Sequence, residues 1–408
     1  MAGMLSGIRI VDLSWIIAGP LAGRLLADFG AEVVKVESRR RMDVGRGNRT
    51  PLYGELPGDA NSNPDTGGYF QDANAGKSSV TLNLQSDGGR ELLLKLVVAS
   101  DVVICNLAGD QLERWGIGYD VVRELNRGII VVNIPTMESS GPRLAWRGFG
   151  DMFAGIAGLK SVSGHPGEAP VPWGHNYGDF ASNPFHAAIA IMAALMHRDR
   201  TGEGQFIEVS QYESTVSLLG TTLLEHSLTG EAPQPKGNRD DVAAPHNFYH
   251  CEGDDSWCAI AVESDEQWAA LVDFAGISAL ADDDFATVEG RRSNEEAIDA
   301  LLDAWTVGWE PQPLAEALQQ RGIPAGPYQT LGELVRDDPT LSDRYYHRLP
   351  HPSGRDFLVH GSPIQARRNP ADVRLGPLIG EHTYEVLTEI LGLSADEVAE
   401  YAAAGALE

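Results

Sequence analysis

The sequence contains few cysteines. Only Cys105, Cys251 and Cys258 are present among 408 residues, and their spacing matches none of the paired arrangements found in zinc or iron–sulfur sites. A small, odd number of cysteines is typical of proteins that stay in a reducing compartment. We therefore predict a cytoplasmic protein without a metal site.

Long apolar runs and basic residues are also scarce. No stretch approaches the roughly 20 apolar residues that a transmembrane helix needs, and the N-terminal segment lacks the pattern of a signal peptide. Acidic residues outnumber basic ones by 58 to 31, which gives a net charge of −27. Because so acidic a surface repels nucleic acid and anionic membranes, we predict no partnership with either.

Several signatures of common enzyme classes are missing. The sequence contains no G-x-S-x-G elbow, no H-E-x-x-H run and no Ser-His-Asp order, so the chemistry carried by those motifs is not indicated. Gly19 and Gly23 follow the first predicted strand, but a G-x-G-x-x-G fingerprint is absent. A dinucleotide-dependent oxidoreductase is therefore weakly supported.

The N-terminal half of the chain alternates between strand and helix patterns. Short runs rich in Val and Ile predict strands at residues 8–13, 31–37, 78–83, 101–106 and 128–134. Pro20 in a first turn and Gly30 after a last turn bound a helix between the first two strands. Because strand–helix–strand order joins parallel strands, we predict an α/β fold with a Rossmann-like, doubly wound large domain. Its ligand should lie at the carboxyl ends of the strands.

The chain is longer than one hydrophobic core usually serves, so we predict two domains. A hairpin pattern at 247–251 and 257–262, followed by helical patterns around 264–275, 294–308 and 312–321, predicts a smaller α+β domain. The predicted boundaries are 1–220 for the large domain, completed by 345–408, and 235–330 for the small domain, with linkers at 221–234 and 331–344. A further amphipathic helix is predicted at 380–394.

One stretch, from Trp173 to Pro184, carries a single carboxylate, Asp179, through a glycine-containing turn onto an Ala-rich helix. An aspartate at such a position is commonly an N-cap that accepts a bond from a free helix amide. The same position also stabilises an ionised carboxylate, which can act as a nucleophile. Spacing alone does not choose between the two roles.

Basic residues are concentrated in one N-terminal segment. They are Lys35, Arg39, Arg40, Arg41, Arg46 and Arg49. Composition supports equally a solvated loop and a cradle for a polyanionic small molecule. Residues 42–72, rich in Gly, Pro, Asn and Asp, predict a long loop of the kind that is commonly functional. Cys105 lies in an apolar strand pattern, which favours a place in the core.

Several motifs together resemble the class III CoA-transferases. That family includes formyl-CoA transferase, carnitine CoA-transferase, benzylsuccinate CoA-transferase and the 2-methylacyl-CoA racemases. The resemblance is carried by residues 5–14, 18–37, 74–77, 198–205 and 380–383, in the family's order and over almost the whole chain. It implies an acyl-CoA:carboxylate CoA-transferase, with coenzyme A entering as acyl-CoA, a carboxylic acid as acceptor, and an interlocked homodimer.

The resemblance also implies the roles of individual residues. Asp179 would attack the thioester to form a mixed anhydride, and the released CoA thiolate would convert this anhydride into an aspartyl-CoA thioester. The implied CoA contacts are Ile16, Ile17, Ala18, Arg39, Lys77, Arg114, Trp115 and Arg147. Three consecutive arginines leave the phosphate contact open among Arg39, Arg40 and Arg41. Such a density of cations favours the cradle over the solvated loop.

Two departures from the family pattern narrow the activity. Family racemases carry a Gly-His-Asp motif, whereas this chain has Gly150 in place of the histidine and Asp151 after it. Racemisation needs two opposed bases, so a racemase or epimerase remains only the alternative to a transferase. Formyl-CoA transferase has a glutamine where this chain has Ile17. Together with Trp15 and Ile16, Ile17 makes this edge of the acyl site apolar, which predicts an acyl group bulkier or more apolar than formate or oxalate.

Overall fold

The computed structural model describes residues 3–46, 63–107, 109–138, 140–144, 146, 148–171, 176–341 and 344–408. The chain forms two compact units. The first comprises residues 1–160, 172–231 and 343–408, and the second comprises residues 161–171 and 232–342. Residues 161–171, which the predicted boundaries assign to the large domain, therefore go with the second unit.

The described strands form three sheets. The strands of the largest sheet are β1 (Arg9–Asp12), β2 (Glu32–Glu37), β3 (Ser78–Thr81), β4 (Val102–Cys105), β5 (Ile130–Asn133) and β6 (Phe206–Glu208). The others are β7 (His246–His250), β8 (Trp257–Ala261), β9 (Ala325–Pro327), β10 (Tyr346–Pro350) and β11 (Asp356–His360). All pairs in the first sheet are parallel, and its order is β3-β2-β1-β4-β5-β6. This confirms the predicted α/β class and the parallel sheet.

The described helices of the first unit up to residue 229 are α1 (Ala18–Ala27), α2 (Gly68–Ala73), α3 (Asp87–Val98), α4 (Gln111–Arg114), α5 (Tyr119–Leu125), α6 (Gly150–Ile156), α7 (Asn183–Thr201), α8 (Gln211–Val216) and α9 (Gly220–Thr229). Those of the second unit are α10 (Asp265–Ala275), α11 (Val288–Ser293), α12 (Glu295–Thr306), α13 (Pro311–Gln319) and α14 (Leu331–Arg336). The C-terminal segment adds α15 (Thr383–Glu385) and α16 (Ala395–Ala403). Across the described ranges, no helix is both long and apolar enough to cross a bilayer.

Alternating side chains of the parallel sheet build two separate cores. Val11, Val34, Val103 and Val131 pack with α3, α5 and α16 on one face. Their neighbours Ile10, Val33, Val102 and Val132 pack with α1 and α7 on the other face. Because successive side chains of a strand point to opposite faces, helices cover both faces of the sheet. Only the edges and ends of the strands remain for a ligand.

The order of the strands locates a crevice. The chain runs outward from β1 to β3, then returns to begin again at β4 beside β1. Ligands of open α/β sheets bind at such a reversal, outside the carboxyl ends of the strands. Here Asn106, which follows β4, is tied to the loop after β1. The N–H of Trp15 donates to Asn106 Oδ1 (2.9 Å), and Asn106 Nδ2 donates to the carbonyl of Trp15 (2.8 Å).

The second unit contains the predicted hairpin as β7 and β8, joined by β9 in an antiparallel sheet. Its core is separate from those of the first unit and centres on Tyr249, Ile260, Leu271 and Leu302. The three helices predicted in this region are observed as α10, α12 and α13. The spacing of apolar residues in the sequence was sufficient to predict these strands and helices.

Several elements of the first unit were not predicted correctly. The helix predicted at 380–394 is present but shorter, as α15 continued directly by a π-helical turn at Val386–Ile390. Helix α16, whose Ser394 and Glu397 form a capping box, was missed although that pair is a start signal in the sequence. The hairpin of β10 and β11 was also missed, and α2 lies within the predicted long loop.

Two ion pairs are buried beneath the loop that follows β1. Lys77 Nζ lies 2.6 Å from Asp12 Oδ2 and also donates to the carbonyl of Pro20 and to Asn74 Oδ1. Lys35 Nζ lies 3.0 Å from Asp43 Oδ2 and donates to the carbonyl of Ser14. Burial lowers the pKa of the Lys77 ammonium to about 8. The fold therefore depends on buried charges that are stabilised by each other and by nearby carbonyl and amide oxygens.

We expect Lys77→Met to lower the free energy of unfolding by about 3–5 kcal/mol, because it leaves Asp12 buried without its cation. Lys95→Met is the matched control, since Lys95 forms an exposed ion pair with Glu91 and should contribute less than about 1 kcal/mol. Urea unfolding of both variants measures the difference. Equal, small effects would show that the buried pair does not support the fold.

Candidate active site

Asp179 lies in a π-helical turn, Gly178–Ser182, that leads directly into α7. The turn is held against α8. A Cβ atom at position 178 would lie 2.6 Å from Thr215 Oγ1, so only glycine permits this approach. The hydroxyl of Ser182 donates to the carbonyl of Ser214 at 2.7 Å. Two elements thus fix the position of the aspartate, whereas residues 172–175 of the same stretch lie outside the described ranges.

The carboxylate of Asp179 is buried, with 8% of the residue exposed. Asn183 Nδ2 donates to Asp179 Oδ1 at 3.2 Å, and the backbone N–H of Gly150 donates to the same carboxylate. Burial raises the pKa of Asp179 to about 6, and the two donors oppose that rise. The group is therefore an aspartate that still ionises near neutral pH while lacking most of its water.

Gly150 is the point of closest approach to Asp179. A Cβ atom built on Gly150 would lie 2.2 Å from Asp179 Oδ2, a distance that no side chain tolerates. The position where family racemases carry a histidine is thus filled here by the carboxylate itself. Asp151, the next residue, lies in the first turn of α6 and forms an ion pair with Lys160 at 2.7 Å.

The structure does not place Asp179 as an N-cap of its own helix. Within the described residues, neither the π-helical turn nor α7 begins with a side-chain cap bond. The carboxylate instead accepts a bond from Gly150, the first residue of α6. Asp179 therefore does not cap the helix that it precedes, which was the alternative left open by the sequence. It contacts the first amide of α6 instead.

A cavity of about 250 Å³ lies beside the carboxylate. Asp179 and Gly150 form one side of it, and the loop after β1 forms another. The remaining lining comes from segments after β4 and β5 and from the start of α6 and α8. The lining residues are Trp15, Ile16, Ile17, Ala18, Asn106, Leu107, Thr136, Gly148, Phe149, Gly150, Asp179 and Gln211. The structure thus brings Ile16, Ile17 and Ala18 together with Asp179.

Ile16 holds a strained conformation in this loop. Its φ angle is +69°, in the left-handed region that is unfavourable for a β-branched residue. The N–H of Ile16 points to both oxygens of Asp43, at 3.1 and 3.2 Å, and Asp43 is held by the buried Lys35. Strain of this kind persists where the surroundings over-determine it, commonly at functional sites.

A second cavity, of about 330 Å³, opens at the carboxyl ends of β1 to β4. Its lining combines apolar side chains with side-chain amides, two arginines and Glu37. The lining residues are Leu13, Trp15, Val36, Glu37, Ser38, Arg40, Arg41, Leu82, Asn83, Leu84, Gln85, Leu107, Gln111 and Trp115. Because Trp15 and Leu107 line both cavities, the two are neighbours. A flat ring with anionic groups fits such a lining chemically.

The three consecutive arginines have different surroundings. Arg39 donates to the carbonyl of Ile379 at 2.9 Å and does not line the cavity. Arg40 lines it and pairs with Glu408. Arg41 lines it and lies 5.0 Å from the centre of the Trp15 ring. Of the three arginines, Arg40 and Arg41 therefore line the larger cavity and Arg39 does not.

The other predicted contacts are scattered. Trp115 lines the larger cavity, whereas Arg114 is exposed and pairs with Asp110 at 3.0 Å. Lys77 lines neither of the two cavities, because its ammonium is taken up by the buried pair with Asp12. Arg147 lies outside the described residues. Cys105 is fully buried, as predicted, and burial raises the pKa of its thiol to about 12.

Several polar residues of these cavities were not predicted from the sequence. Asn83, Gln85, Gln111 and Gln211 supply side-chain amides to the linings, and Asn183 binds the carboxylate. Only Asn183 had a usable signal, since it follows Asp179 by four residues on a predicted helix. Throughout the described ranges, no group of three His, Cys, Asp or Glu side chains is arranged to hold a metal ion.

Comparison with known proteins places this geometry in a family. Residues 5–383 match CoA-transferase family III. Succinyl-CoA:mesaconate CoA-transferase of Haloarcula marismortui is 33% identical over 406 residues, covering 95% of this chain and 96% of that protein. Formyl-CoA:oxalate CoA-transferase of Streptomyces avermitilis is 30% identical over 415 residues, covering 98% of each.

A solved structure agrees with the family match. The crystal structure of a CAIB/BAIF family protein from Brucella suis is similar with a TM-score of 0.85 and 29% sequence identity, covering 96% of this chain and all of that one. The resemblance that the motifs carried is thereby confirmed. The chain belongs to CoA-transferase family III and is a class III CoA-transferase.

Proposed function

We propose that this enzyme moves CoA between two carboxylic acids with Asp179 as the covalent nucleophile. The observation that carries the proposal is a buried carboxylate, with a pKa of about 6, on the wall of a cavity that adjoins a second cavity bearing arginines. An ionised carboxylate in a dry site is a competent nucleophile. Its position at the carboxyl ends of parallel strands is where such folds bind ligands.

The chemistry explains why a carboxylate is needed. Asp179 attacks the thioester carbon, the carbon–sulfur bond breaks, and CoA leaves as a thiolate from a mixed anhydride. The thiolate then attacks the carboxyl carbon of Asp179, and the first acid leaves as a carboxylate. Anhydride and thioester are both activated acyl species, so each step preserves the activation of the acyl group. The acceptor acid reverses the sequence to give the new acyl-CoA.

We place the two ends of CoA in the two neighbouring cavities. The adenine and phosphates occupy the larger one, with Trp115 beside the ring and Arg40 and Arg41 toward the phosphates. The thiol arm passes Trp15 and Leu107, which line both cavities. Ile16, Ile17 and Ala18 then lie beside the thioester. Phosphate contacts by Arg39, Arg114 and Arg147 stay predictions, and we assign Lys77 to the fold rather than to the nucleotide.

The acids themselves are proposed to be larger than oxalate. The two relatives above are about equally similar to this chain, so identity does not choose between succinyl-CoA with mesaconate and formyl-CoA with oxalate. The cavity favours the first, because Trp15, Ile16, Ile17 and Phe149 give it an apolar edge. An apolar wall stabilises the carbon chain of a mesaconate-sized acid and offers nothing to formate.

We also propose that two copies form the interlocked homodimer of the predicted kind. Helix α7 exposes an apolar stripe of Phe185, Ile189, Met192 and Met196, with Ile189 69% exposed. Helix α9 has no buried residue and exposes Leu223, Leu224 and Leu228. Apolar surface of this extent on a protein of net charge −27 supports burial against a second copy.

The covalent step is tested by trapping. We expect the enzyme, incubated with succinyl-CoA and quenched with hydroxylamine, to carry a hydroxamate on Asp179, because hydroxylamine attacks both the anhydride and the thioester. Mass spectrometry of peptides identifies the modified residue. Asp179→Asn should carry no tag and lose CoA exchange. A tag on another residue, or full exchange by Asp179→Asn, would contradict the mechanism. The acid class is tested separately: faster exchange with formyl-CoA and oxalate than with succinyl-CoA and mesaconate would contradict it.

Gly150 gives a second test. Gly150→Ala should lower kcat by about 100-fold or more, because a Cβ atom there displaces the carboxylate by more than the geometry tolerates. Gly155→Ala is the matched control on the same helix, since its Cβ would meet only Lys160 Cδ at 3.9 Å.

The wild type should show no uptake of solvent deuterium at the α-carbon of a 2-methylacyl-CoA. Uptake without an acceptor acid would support the racemase alternative.

Dimer formation is tested on the apolar stripe of α7. Ile189→Asp should yield monomers or insoluble protein, because it places a charge in the proposed interface. Val121→Asp, an exposed apolar position on α5 with 49% exposure, is the control and should leave the oligomeric state unchanged. Light scattering after size-exclusion chromatography measures the mass. A wild-type monomer would refute the proposal.

A further inference from the structure

Asn183 is the side chain in closest polar contact with the nucleophile. The residue is fully buried, and its Nδ2 lies 3.2 Å from Asp179 Oδ1. Its Oδ1 is buried and has no hydrogen-bond partner among the described residues. Buried amides are normally satisfied on both sides, and an apolar residue of similar size would avoid the unpaired carbonyl. Among the described residues, the side-chain amide of Asn183 makes a single hydrogen bond, the one to Asp179.

The local backbone explains this pairing. Asp179 lies in the π-helical turn and Asn183 is the first residue of α7, so the two side chains are four residues apart on one face. Single π-helical turns within helices are frequent at functional sites. The contact is fixed further by Ser182, which ties the turn to Ser214. Neither oxygen of Asp179 can leave this arrangement without breaking a hydrogen bond or meeting Gly150.

We propose that Asn183 stabilises the oxyanion that forms on Asp179 itself when CoA thiolate attacks its carboxyl carbon. The inference rests on the proposed function of Asp179 as nucleophile. With Oδ1 bound to Asn183, Oδ2 attacks the substrate and becomes the bridging oxygen of the anhydride. Oδ1 is then the carbonyl oxygen on the enzyme's side of that anhydride.

The role follows from the balance of the second step. The thiolate adds to Cγ of Asp179, and the electron pair of the Cγ–Oδ1 double bond moves onto Oδ1. That oxygen already faces the Asn183 amide, so the developing charge meets an oriented donor. Collapse breaks the bond from Cγ to Oδ2, and the first acid leaves as a carboxylate with Oδ2. No proton is transferred in either direction. Attack by the acceptor acid on the aspartyl-CoA thioester places charge on Oδ1 again.

Asn183 should stabilise the transition state of the first step less than that of the second. When Asp179 attacks acyl-CoA, the charge develops on the substrate's carbonyl oxygen, and Asn183 lines neither cavity. The residue should therefore affect the two halves of the reaction unequally. Because its donor also favours the ionised carboxylate, loss of Asn183 should move the pKa of Asp179 upward. A residue that only packed the turn would produce neither effect.

The experiment compares the wild type with Asn183→Ala, the near-isosteric Asn183→Leu, and Ser217→Ala as the control. Ser217 donates to the same carbonyl of Ser214 but lies outside the turn that holds Asp179. Each protein is mixed with succinyl-CoA without an acceptor, quenched in acid at short times, and weighed intact by mass spectrometry. The masses separate succinylated protein from CoA-linked protein. The pH dependence of kcat and the KM for succinyl-CoA are measured in parallel.

We expect the wild type to accumulate CoA-linked protein and to gain activity as pH rises through about 6, where Asp179 ionises. Both Asn183 variants should shift the population to succinylated protein and lower kcat by about 100- to 1,000-fold. Their KM should change little and their pH midpoint should move to higher pH. Ser217→Ala should keep the partition and the pH midpoint of the wild type.

The outcomes separate the two proposals. A wild type that forms no adduct refutes Asp179 as nucleophile. A normal adduct in the wild type, with Asn183 variants that keep its partition and pH midpoint, overturns only the role of Asn183. If Asn183→Ala does not fold, Asn183→Leu decides, because it fills a similar volume and lacks the amide donor without adding a second carboxylate beside Asp179.

Discussion

The site depends on charges buried beneath the loop after β1. Lys77 with Asp12 and Lys35 with Asp43 lie in the interior, where an ion without its partner is strongly destabilising. Lys35 donates to the carbonyl of Ser14, and Asp43 accepts from the N–H of Ile16, so this pair holds the loop. The bonds from Ile16 N–H to Asp43 support its left-handed conformation. This network therefore helps to set the loop that contributes Trp15 to both cavities.

The carboxylate of Asp179, the proposed nucleophile, is subject to two opposing effects. Burial makes the carboxylate of Asp179 more reactive by removing its water, but the same burial raises its pKa. The donors from Asn183 and Gly150 limit the rise, so that at pH 7 most of the group is ionised. A deeper site with no donor would hold a neutral acid, and a fully solvated one would hold a weaker nucleophile. Glycine at position 150 allows the backbone itself to be one of the donors.

Much of the architecture could be predicted from sequence, because the parallel strands consist of Val and Ile runs whose alternation covers both faces. The position of Asp179 after a glycine turn was also readable. The structural role of Lys77 could not be predicted, because its partner Asp12 is 65 residues distant in sequence. The residue type alone does not show whether a lysine side chain points into the core or toward a ligand. For the same reason a run of three arginines did not reveal that Arg39 binds a backbone carbonyl while its neighbours line the cavity.

The acidity of the chain places a demand on the larger cavity. CoA is a polyanion, and a net charge of −27 disfavours its approach, so the local cations must act at short range. Arg40 already pairs with Glu408, which reduces what it gains from a phosphate. Arg41 differs, because its guanidinium lies over the Trp15 ring and a stacked guanidinium keeps its N–H edges free for bidentate contact. Since Trp15 also lines the acyl cavity, a phosphate bound by Arg41 would press on the same side chain that borders the thioester. In the proposed placement of CoA, Trp15 would therefore border both the nucleotide and the thioester.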